Sequence, residues 1–339
     1  MFITFYDSNF NAISDNSSLV VESYDLKRRA YDLNEFTAVC EPIDLTTDPF
    51  FAVLREPTQD GSYYTMLAPI VTRNAENKSE VVARDLLGVF NTEVLIDFSS
   101  QSFSSVAEYL DFIFNAWKNF DESGFDNVVF NTDEITITAT VYAPTEKGVY
   151  NIKEVLNRAF LTYNIYIKGA INLKTETLVF TAKNNAENTV KIKLEEFGII
   201  DFNKTQPSVN TAIAFNENYS VRHDWYLLKS GAITGTAGLR DVFPSSAKVI
   251  VEENIADADF ESISLLAENR YQEKINIDTK FDKDRLEDID FGNDFDVYYK
   301  NAFYKTLPLG EIHENYDRGM IKNKILVLGY APNEFIQLI

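Results

Sequence analysis

Few residues in this 339-residue chain could do covalent or coordination chemistry. There is one cysteine, Cys40, and there are two histidines, His223 and His313. A thiolate nucleophile needs a histidine or another cation beside it. Cys40 instead closes the strand-like run Phe36-Thr37-Ala38-Val39-Cys40, where it reads as a small buried apolar group. A lone cysteine forms no intrachain disulfide, which fits assembly in a reducing cytoplasm. Both histidines sit in polar, loop-like or strand-edge contexts, without H-E-x-x-H or His-Cys ligand spacing. No G-x-S-x-G or P-loop occurs, and Gly235-Thr236-Ala237-Gly238 lacks the lysine that a phosphate cradle carries. The densest run of acids is Asp282, Asp284, Glu287, Asp288, Asp290, Asp294 and Asp296. Such oxygens could hold Ca²⁺. The stretch Asp288-Ile289-Asp290-Phe291-Gly292-Asn293 departs from an EF-hand loop, because its glycine comes one residue early and no glutamate follows at the twelfth position. It reads as a solvated turn between strands. A glycosidase pair could hide among the 52 acidic residues, but no spacing singles one out. The expectation is a protein that is not an enzyme, with no catalytic, cofactor-binding or metal-binding residues and no cofactor.

Composition narrows the partners. A formal net charge of -21 argues against general nucleic-acid binding and against anionic membrane surfaces, both of which need clustered Lys and Arg. Solubility is its plain reading, and a surface that repels DNA is its functional one. The N-terminal run Met1-Phe2-Ile3-Thr4-Phe5-Tyr6-Asp7 lacks the basic-then-apolar pattern of a signal peptide. No apolar run is long enough to span a membrane. The sequons at Asn16 and Asn203 carry no weight without a secretory route. Apolar residues make up 45% of the chain, in the range that builds a packed core. The 26 Phe and 18 Tyr, beside only 13 Gly and 9 Pro, point to a sheet-rich protein with long hairpins.

The elements follow from periodicity. Residues 1–103 read as short strands at Phe2–Tyr6, Leu19–Val21, Phe36–Cys40, Phe50–Leu54, Tyr63–Leu67, Val81–Ala83 and Val94–Ile96. Thr58-Gln59-Asp60-Gly61 makes a hairpin signal, and Asp85–Phe90 a short helical insert. Strands at this spacing favour a barrel or sandwich. A first helix over 105–120 starts at the S-x-x-E box of Ser105 and Glu108 and buries Val106, Tyr109, Leu110, Ile113 and Trp117. Ile135–Tyr142 alternates as a strand, and Pro144–Gly148 turns the chain. A second helix over 151–163 is capped by Asn151 and buries Ile152, Val155, Leu156, Ala159, Phe160 and Tyr163. With the pair Ile165–Ile167 and Leu178–Ala182, residues 104–182 form an α+β unit. Val190–Leu194 is a strand, and 201–222 reads as a long polar connection. Trp225–Leu228 and Gly231–Gly235 form a hairpin, and Lys248–Val251 a strand. A third helix spans 257–272, with Phe260, Ile263, Leu266, Ala267 and Tyr271 inward. Strands at Ile275–Phe281, Asp296–Tyr299, Phe303–Leu307 and Ile325–Leu328 close the chain. No tandem repeat is present.

Four places carry a resemblance. The run Val81-Val82-Ala83-Arg84-Asp85-Leu86-Leu87-Gly88-Val89-Phe90, leading to Val94-Leu95-Ile96-Asp97, is similar to an element of siphophage tail hub proteins. That group includes the N-terminal domains of tail-associated lysins. Similar too are Ile171–Leu173 with Leu178–Lys183 and the stop Ile199-Ile200-Asp201-Phe202. The third place is Trp225-Tyr226-Leu227-Leu228 with Gly231-Ala232-Ile233-Thr234 and the linker Val242-Phe243-Pro244. The fourth is the helix near 257–272 leading into Asn276–Phe281. Their order covers most of the chain. The sequence departs from the pattern at Phe291-Gly292-Asn293-Asp294-Phe295, where relatives carry a Gly-Asp turn.

The resemblance implies a sheet-rich, multidomain α+β fold like the baseplate hub of contractile phages. Two barrel-like hub domains, 1–103 and 183–339, would flank an α+β domain at 104–182. It implies a homotrimer at the virion's tail tip that docks on a hexameric distal tail protein. Receptor-binding proteins and the tape measure protein are further partners. The trimer would close or gate the channel, and DNA would pass without specific binding. The chain stops at Ile339, short of the hydrolase that longer relatives append. The other reading is a carbohydrate-binding receptor-recognition protein of the tail tip, suggested by the aromatics and acids.

Overall fold

The computed structural model describes residues 2–13, 19–30, 35–42, 48–57, 63–73, 76–120, 127–184, 188–197, 199–204, 209–229, 231–239, 246–270, 273–279, 286, 289–317 and 323–329. The chain begins with β1 (Phe2–Tyr6), β2 (Leu19–Arg29), β3 (Glu35–Cys40), β4 (Phe51–Pro57), β5 (Tyr63–Arg73) and β6 (Ser79–Asp85). Alternation drives these strands. In β6, Ser79, Val81, Ala83 and Asp85 are buried while Glu80, Val82 and Arg84 face out, the period of two of a pleat with one dry face. The strands pair in the order β1-β4-β5-β6-β3-β2. β2 then returns to β1, Phe2 opposite Val20 and Ile3 opposite Leu19. The six strands thus form a closed hydrogen-bonded cycle around Ile3, Phe5, Leu26, Phe36, Leu54 and Met66. Closing a sheet removes the edges that an open sheet must protect. The expected turn at Thr58–Gly61 lies outside the described residues, but the antiparallel β4–β5 pairing that it would serve is present.

A 3-10 turn, Leu86–Phe90, carries the chain out of the cycle. Asp85 caps it by accepting the Leu87 N–H at 3.1 Å. Next come β7 (Glu93–Asp97), α1 (Val106–Phe120), β8 (Val128–Glu134), β9 (Lys147–Asn151), α2 (Ile152–Tyr163), β10 (Ile165–Asn172) and β11 (Thr177–Asn184). α1 buries Val106, Tyr109, Leu110 and Ile113 as its stripe predicts, and Phe114 as well, while Trp117, expected inward, is only partly buried against the core. Its cap differs in one arm. The Ser105 hydroxyl accepts the Glu108 N–H at 3.2 Å, but the Glu108 carboxylate reaches back to the Ser104 N–H and hydroxyl. Asn151 caps α2 by accepting the Glu154 N–H at 3.3 Å. β10 and β11 form the expected hairpin, and β8 adds to β11 in parallel. The helices cover this sheet through a cluster of rings, with Phe114 stacked on Phe130 at 4.4 Å and Phe90 4.8 Å from Phe180.

Three expectations fail in this part. The strand of the unit is Val128–Glu134, not Ile135–Tyr142, which has no ladder. β11 has used its parallel partner by Glu134. Beyond it Ile135, Ile137 and Val141 still pack against the core, so alternation marks half-burial there without pairing. Lys147 and Gly148, expected in a turn, begin β9 instead. β7 leaves the first group of strands to pair with β9, Val94 opposite Tyr150.

The remaining elements are β12 (Asn188–Lys193), β13 (Ile199–Lys204), β14 (Thr211–Asn216), β15 (Arg222–Leu227), β16 (Ile233–Thr234), β17 (Ala247–Glu252), α3 (Ile255–Glu268), β18 (Glu273–Asp278), β19 (Asn293–Tyr299), β20 (Ala302–Asp317) and β21 (Asn323–Leu328). The polar connection expected over 201–222 is overturned, because β13 and β14 lie in it. Its short apolar alternation, Ala212 and Ala214, is fully buried under α3, and small side chains are what a helix needs to approach a sheet closely. α3 starts two residues earlier than expected, where Asn254 accepts the Asp257 N–H at 3.0 Å. Tyr271 lies outside the described residues.

β14 to β17 form a four-stranded sheet ordered β16-β15-β14-β17. The other strands continue from the closed cycle: β2 pairs β20, which pairs β19 and β21, and the path runs on to β12 at one end and to β18 and β13 at the other. β20 is the shared element. Its first half pairs β19, and its second half lies between β2 and β21. At the changeover stands Gly310, whose carbonyl accepts the Ala30 N–H at 2.9 Å. A side chain on Gly310 would run into the Gly329 carbonyl. Backbone approach, not φ, requires glycine here.

Candidate assembly surfaces

The chemistry-bearing residues are spread through the fold rather than gathered. Cys40 is fully buried in β3. Burial, with Glu22 and Glu41 nearby, pushes its thiol up to about 12, so it stays protonated and unreactive. The His313 Nε2 lies 3.0 Å and 3.1 Å from the two Asp25 carboxylate oxygens, bracing β20 against β2. The His223 Nδ1 lies 2.8 Å from one Asp259 oxygen, and the other accepts the Trp225 indole N–H at 2.6 Å. Asp259 thereby ties α3 to β15. Trp117 donates to the Val89 carbonyl at 3.1 Å, so both indole N–H groups are committed inside the chain. Among the described residues no group of three His, Cys, Asp or Glu side chains is placed to hold a metal.

The acidic run near residue 290 is not the solvated turn expected, at least over its described part; Asp282, Asp284, Glu287 and Asp288 lie outside it. Asp290 accepts from Arg28 at 2.8 Å, and Glu314 stands 3.8 Å from the same guanidinium. The Arg28 guanidinium also lies 5.6 Å from the Phe291 ring centroid. Burial alone would raise the Asp290 pKa. Arg28, the Phe291 N–H, Lys168 and Lys324 outweigh burial and hold it below the usual carboxylate range. Asp294 behaves oppositely: burial and Asp296 push it up to about 6. One of its oxygens has no hydrogen-bond partner. Asp296 accepts the Thr306 hydroxyl at 2.7 Å.

A pocket of ≈ 200 Å³ opens beside Arg28, between β2, β10 and the Asp290–Asn293 turn. Its basic side chains face acids of the chain itself: Arg28 pairs with Asp290, on which Lys168 also acts, Arg29 with Glu311 and Glu35, and Lys183 with Glu134. It is a joint where three parts of the chain meet, rather than an anion site. A second cleft, between α2 and α3, is ringed by Glu146, Glu154, Glu252, Glu253, Asp257 and Glu261 around Arg158. Arg158 pairs with Glu261 at 2.5 Å. Glu253 and Asp257 push the Glu146 carboxyl up, a sign of concentrated like charge. Sequence reasoning saw the acidity but not this cleft, whose members come from segments about a hundred residues apart.

Apolar side chains on the outside occur as cross-strand partners. Phe2 faces Val20, Ile70 faces Val82, and Leu95 faces Val149, all exposed. The four-stranded sheet turns one face to α3 and places Ile213, Phe215, Val249 and Val251 together on the other. Single exposed apolar residues are ordinary on a protein surface; register-matched pairs on strands are what a partner surface would use.

No protein-family model matches the chain, and no curated protein matches it in sequence. Its fold does match solved structures. A prophage tail protein of Listeria monocytogenes aligns over 100% of this chain and 97% of its own, at TM-score 0.56 and 11% identity. A tail protein of Neisseria meningitidis aligns over 97% and 95%, at TM-score 0.54 and 12% identity. The 43 kDa tail protein of a Shewanella oneidensis prophage aligns over 97% of each chain, at TM-score 0.53 and 11% identity. Identities this low speak for the fold alone, and over nearly its whole length this chain has the fold of phage tail proteins.

Proposed function

We propose that this chain is a structural component of a phage tail tip, a homotrimeric central hub that docks on a distal tail protein and closes or gates the channel. The observation that carries the reading is end-to-end likeness: three tail proteins match 97–100% of the chain in fold, although sequence identity is only 11–12%. Two features of the fold support it. The closed cycle β1–β6 suits one barrel-like hub domain, and the six-strand path β12-β19-β20-β21-β18-β13 suits the second. The β2–β20 pairing joins them side by side, so three copies would present six such units to a hexameric partner. The net charge of -21 suits a channel wall along which DNA slides without adhering. Trp117 packs its ring against Phe90 and Phe130, and Trp225 against Tyr142, which counts against a free tryptophan platform for the carbohydrate-binding reading.

The test is particle symmetry. Light scattering and negative-stain averages of the full chain, alone and mixed with the distal tail protein of the same phage, should give threefold rings and a joint complex. A monomer that never binds the distal tail protein would overturn the proposal.

A further inference from the structure

We propose that the outer edge of β17 is a self-complementary docking strand for a second copy of this chain, pairing antiparallel about Ile250. Among the described residues β17 has one strand neighbour, β14, and forms the end of its sheet. Natural edge strands are guarded by charge, proline, bulges or cover, because their free N–H and C=O groups invite another strand. This edge is apolar at its centre. Val249 is 56% and Val251 37% exposed, and neither proline nor a register shift interrupts Ala247–Glu252.

The sequence of the strand is its own complement. Antiparallel pairing about Ile250 puts Val249 opposite Val251 and Lys248 opposite Glu252, each twice. On the face away from α3, Val249 and Val251 join Ile213 and Phe215, and the two copies make this apolar strip continuous across the junction. On the α3 face, neither Lys248 nor Glu252 has a charge partner within salt-bridge distance among the described residues, although the Lys248 charge acts on the Glu268 carboxyl of α3. Glu252 stands in a like-charged setting, its carboxyl pushed up by burial and by Glu261 and Asp257. An ammonium from a second copy relieves that repulsion. Space permits the contact on the helix side. α3 lies mainly over β14, so α3 and its copy would stand three strand spacings apart, about 14 Å, beyond the ~8–10 Å of packed helices.

The contact is isologous and saturates at two copies. It does not rest on the hub reading, which needs a separate threefold contact. The test is sedimentation equilibrium of the full chain over a range of concentrations, with circular dichroism as a check on folding. The wild type should double in mass. Lys248→Glu or Glu252→Lys alone makes both end pairs repulsive and should weaken doubling about tenfold. The double variant K248E/E252K restores both pairs and should recover wild-type association. Val249→Lys, which places a charge in the apolar centre, should abolish it. Association indifferent to the single swaps, failure of the double variant to rescue, or no doubling in the wild type would each overturn the proposal. A trimer insensitive to every swap sinks the β17 pairing and leaves the hub reading standing. Swap-dependent doubling without any threefold particle supports the pairing and counts against the hub.

Discussion

Replacing Arg28 by Met tests whether the Arg28–Asp290 pair locks β2 to the turn before β19. The Arg28 side chain is 11% and the Asp290 side chain 26% exposed, 2.8 Å apart, with Glu314 at 3.8 Å. Exposed pairs contribute at most about 1 kcal/mol, and stranding one member of a buried pair costs about 3–5 kcal/mol. This partly buried pair falls between, at about 2–3 kcal/mol, or a fall in Tm on the order of 3–4 °C for a chain of 339 residues. The sign with pH is specific. In the wild type the folded Asp290 pKa is depressed, so its stabilisation is full above the unfolded carboxylate pKa and is lost as pH falls through the folded one. Without Arg28 the folded Asp290 pKa rises toward the unfolded value, because burial is then opposed only by the Phe291 N–H, Lys168 and Lys324. The penalty of the variant should therefore be smaller near pH 3.5 than at pH 7. Urea melts of the wild type, Arg28→Met, Asp290→Asn and the double variant, each at several pH values, measure it. The double variant should be less destabilised than the sum of the singles, because it leaves no unpaired charge at position 290. A penalty within 0.5 kcal/mol of zero at pH 7, or one that does not change with pH, would refute this account.

Four further outcomes follow from the same structure. Gly310→Ala should cost at least about 1–3 kcal/mol, read by thermal melting, because its methyl meets the Gly329 carbonyl rather than a yielding side chain. Phe90→Ala should cost about 3–5 kcal/mol, since Phe90 is buried and touches the Phe114, Trp117 and Phe180 rings. Asp294→Asn should stabilise at pH 7.5 and be near neutral at pH 3.5. The folded Asp294 pKa of about 6 is raised, so its contribution is full below the unfolded pKa and is lost as pH rises through 6. Cys40 should resist a thiol reagent at neutral pH in the folded chain and react once urea unfolds it, as its burial and raised pKa require.

How much of this was legible in the sequence varied with the range of the interactions. The helices were legible because their signals are local: the stripe from Val106 to Ile113, the Asn151 cap, the buried face of α3. Hairpins closed by short turns, such as β10–β11, were legible for the same reason. What failed was pairing over distance. Ile135–Tyr142 has a strand's alternation without a neighbour to bond, and alternation records burial, not hydrogen bonding. Thr211–Asn216 has a neighbour, β17, more than thirty residues on, but its Asn-rich flanks masked a short small-residue strand. From sequence the strand at Phe303 ends at Leu307, short of Pro308 and Gly310, whereas β20 runs to Asp317. Those two residues stand where the strand changes partners.

The candidate surfaces were the least legible part, and the reason is physical. A catalytic site needs few residue types in tight mutual geometry, so motifs can betray it. An assembly surface needs only register, exposure and charge in the right places, supplied by ordinary residues. Asp290 looked like one more acid in an acidic run until Arg28, 262 residues away, was found against it. Ile70 and Val82 are unremarkable in sequence, and only the β5–β6 register makes them a pair on the outer wall. Lys248 and Glu252 mean nothing until β17 is known to be an edge. The same argument says where mutations should be read in this protein. Substitutions at His223, His313 or Cys40 report on stability, because those residues are bonded or buried within the fold. Substitutions at Ile70, Val82, Val249 or Val251 leave the fold's own contacts largely intact and report on assembly.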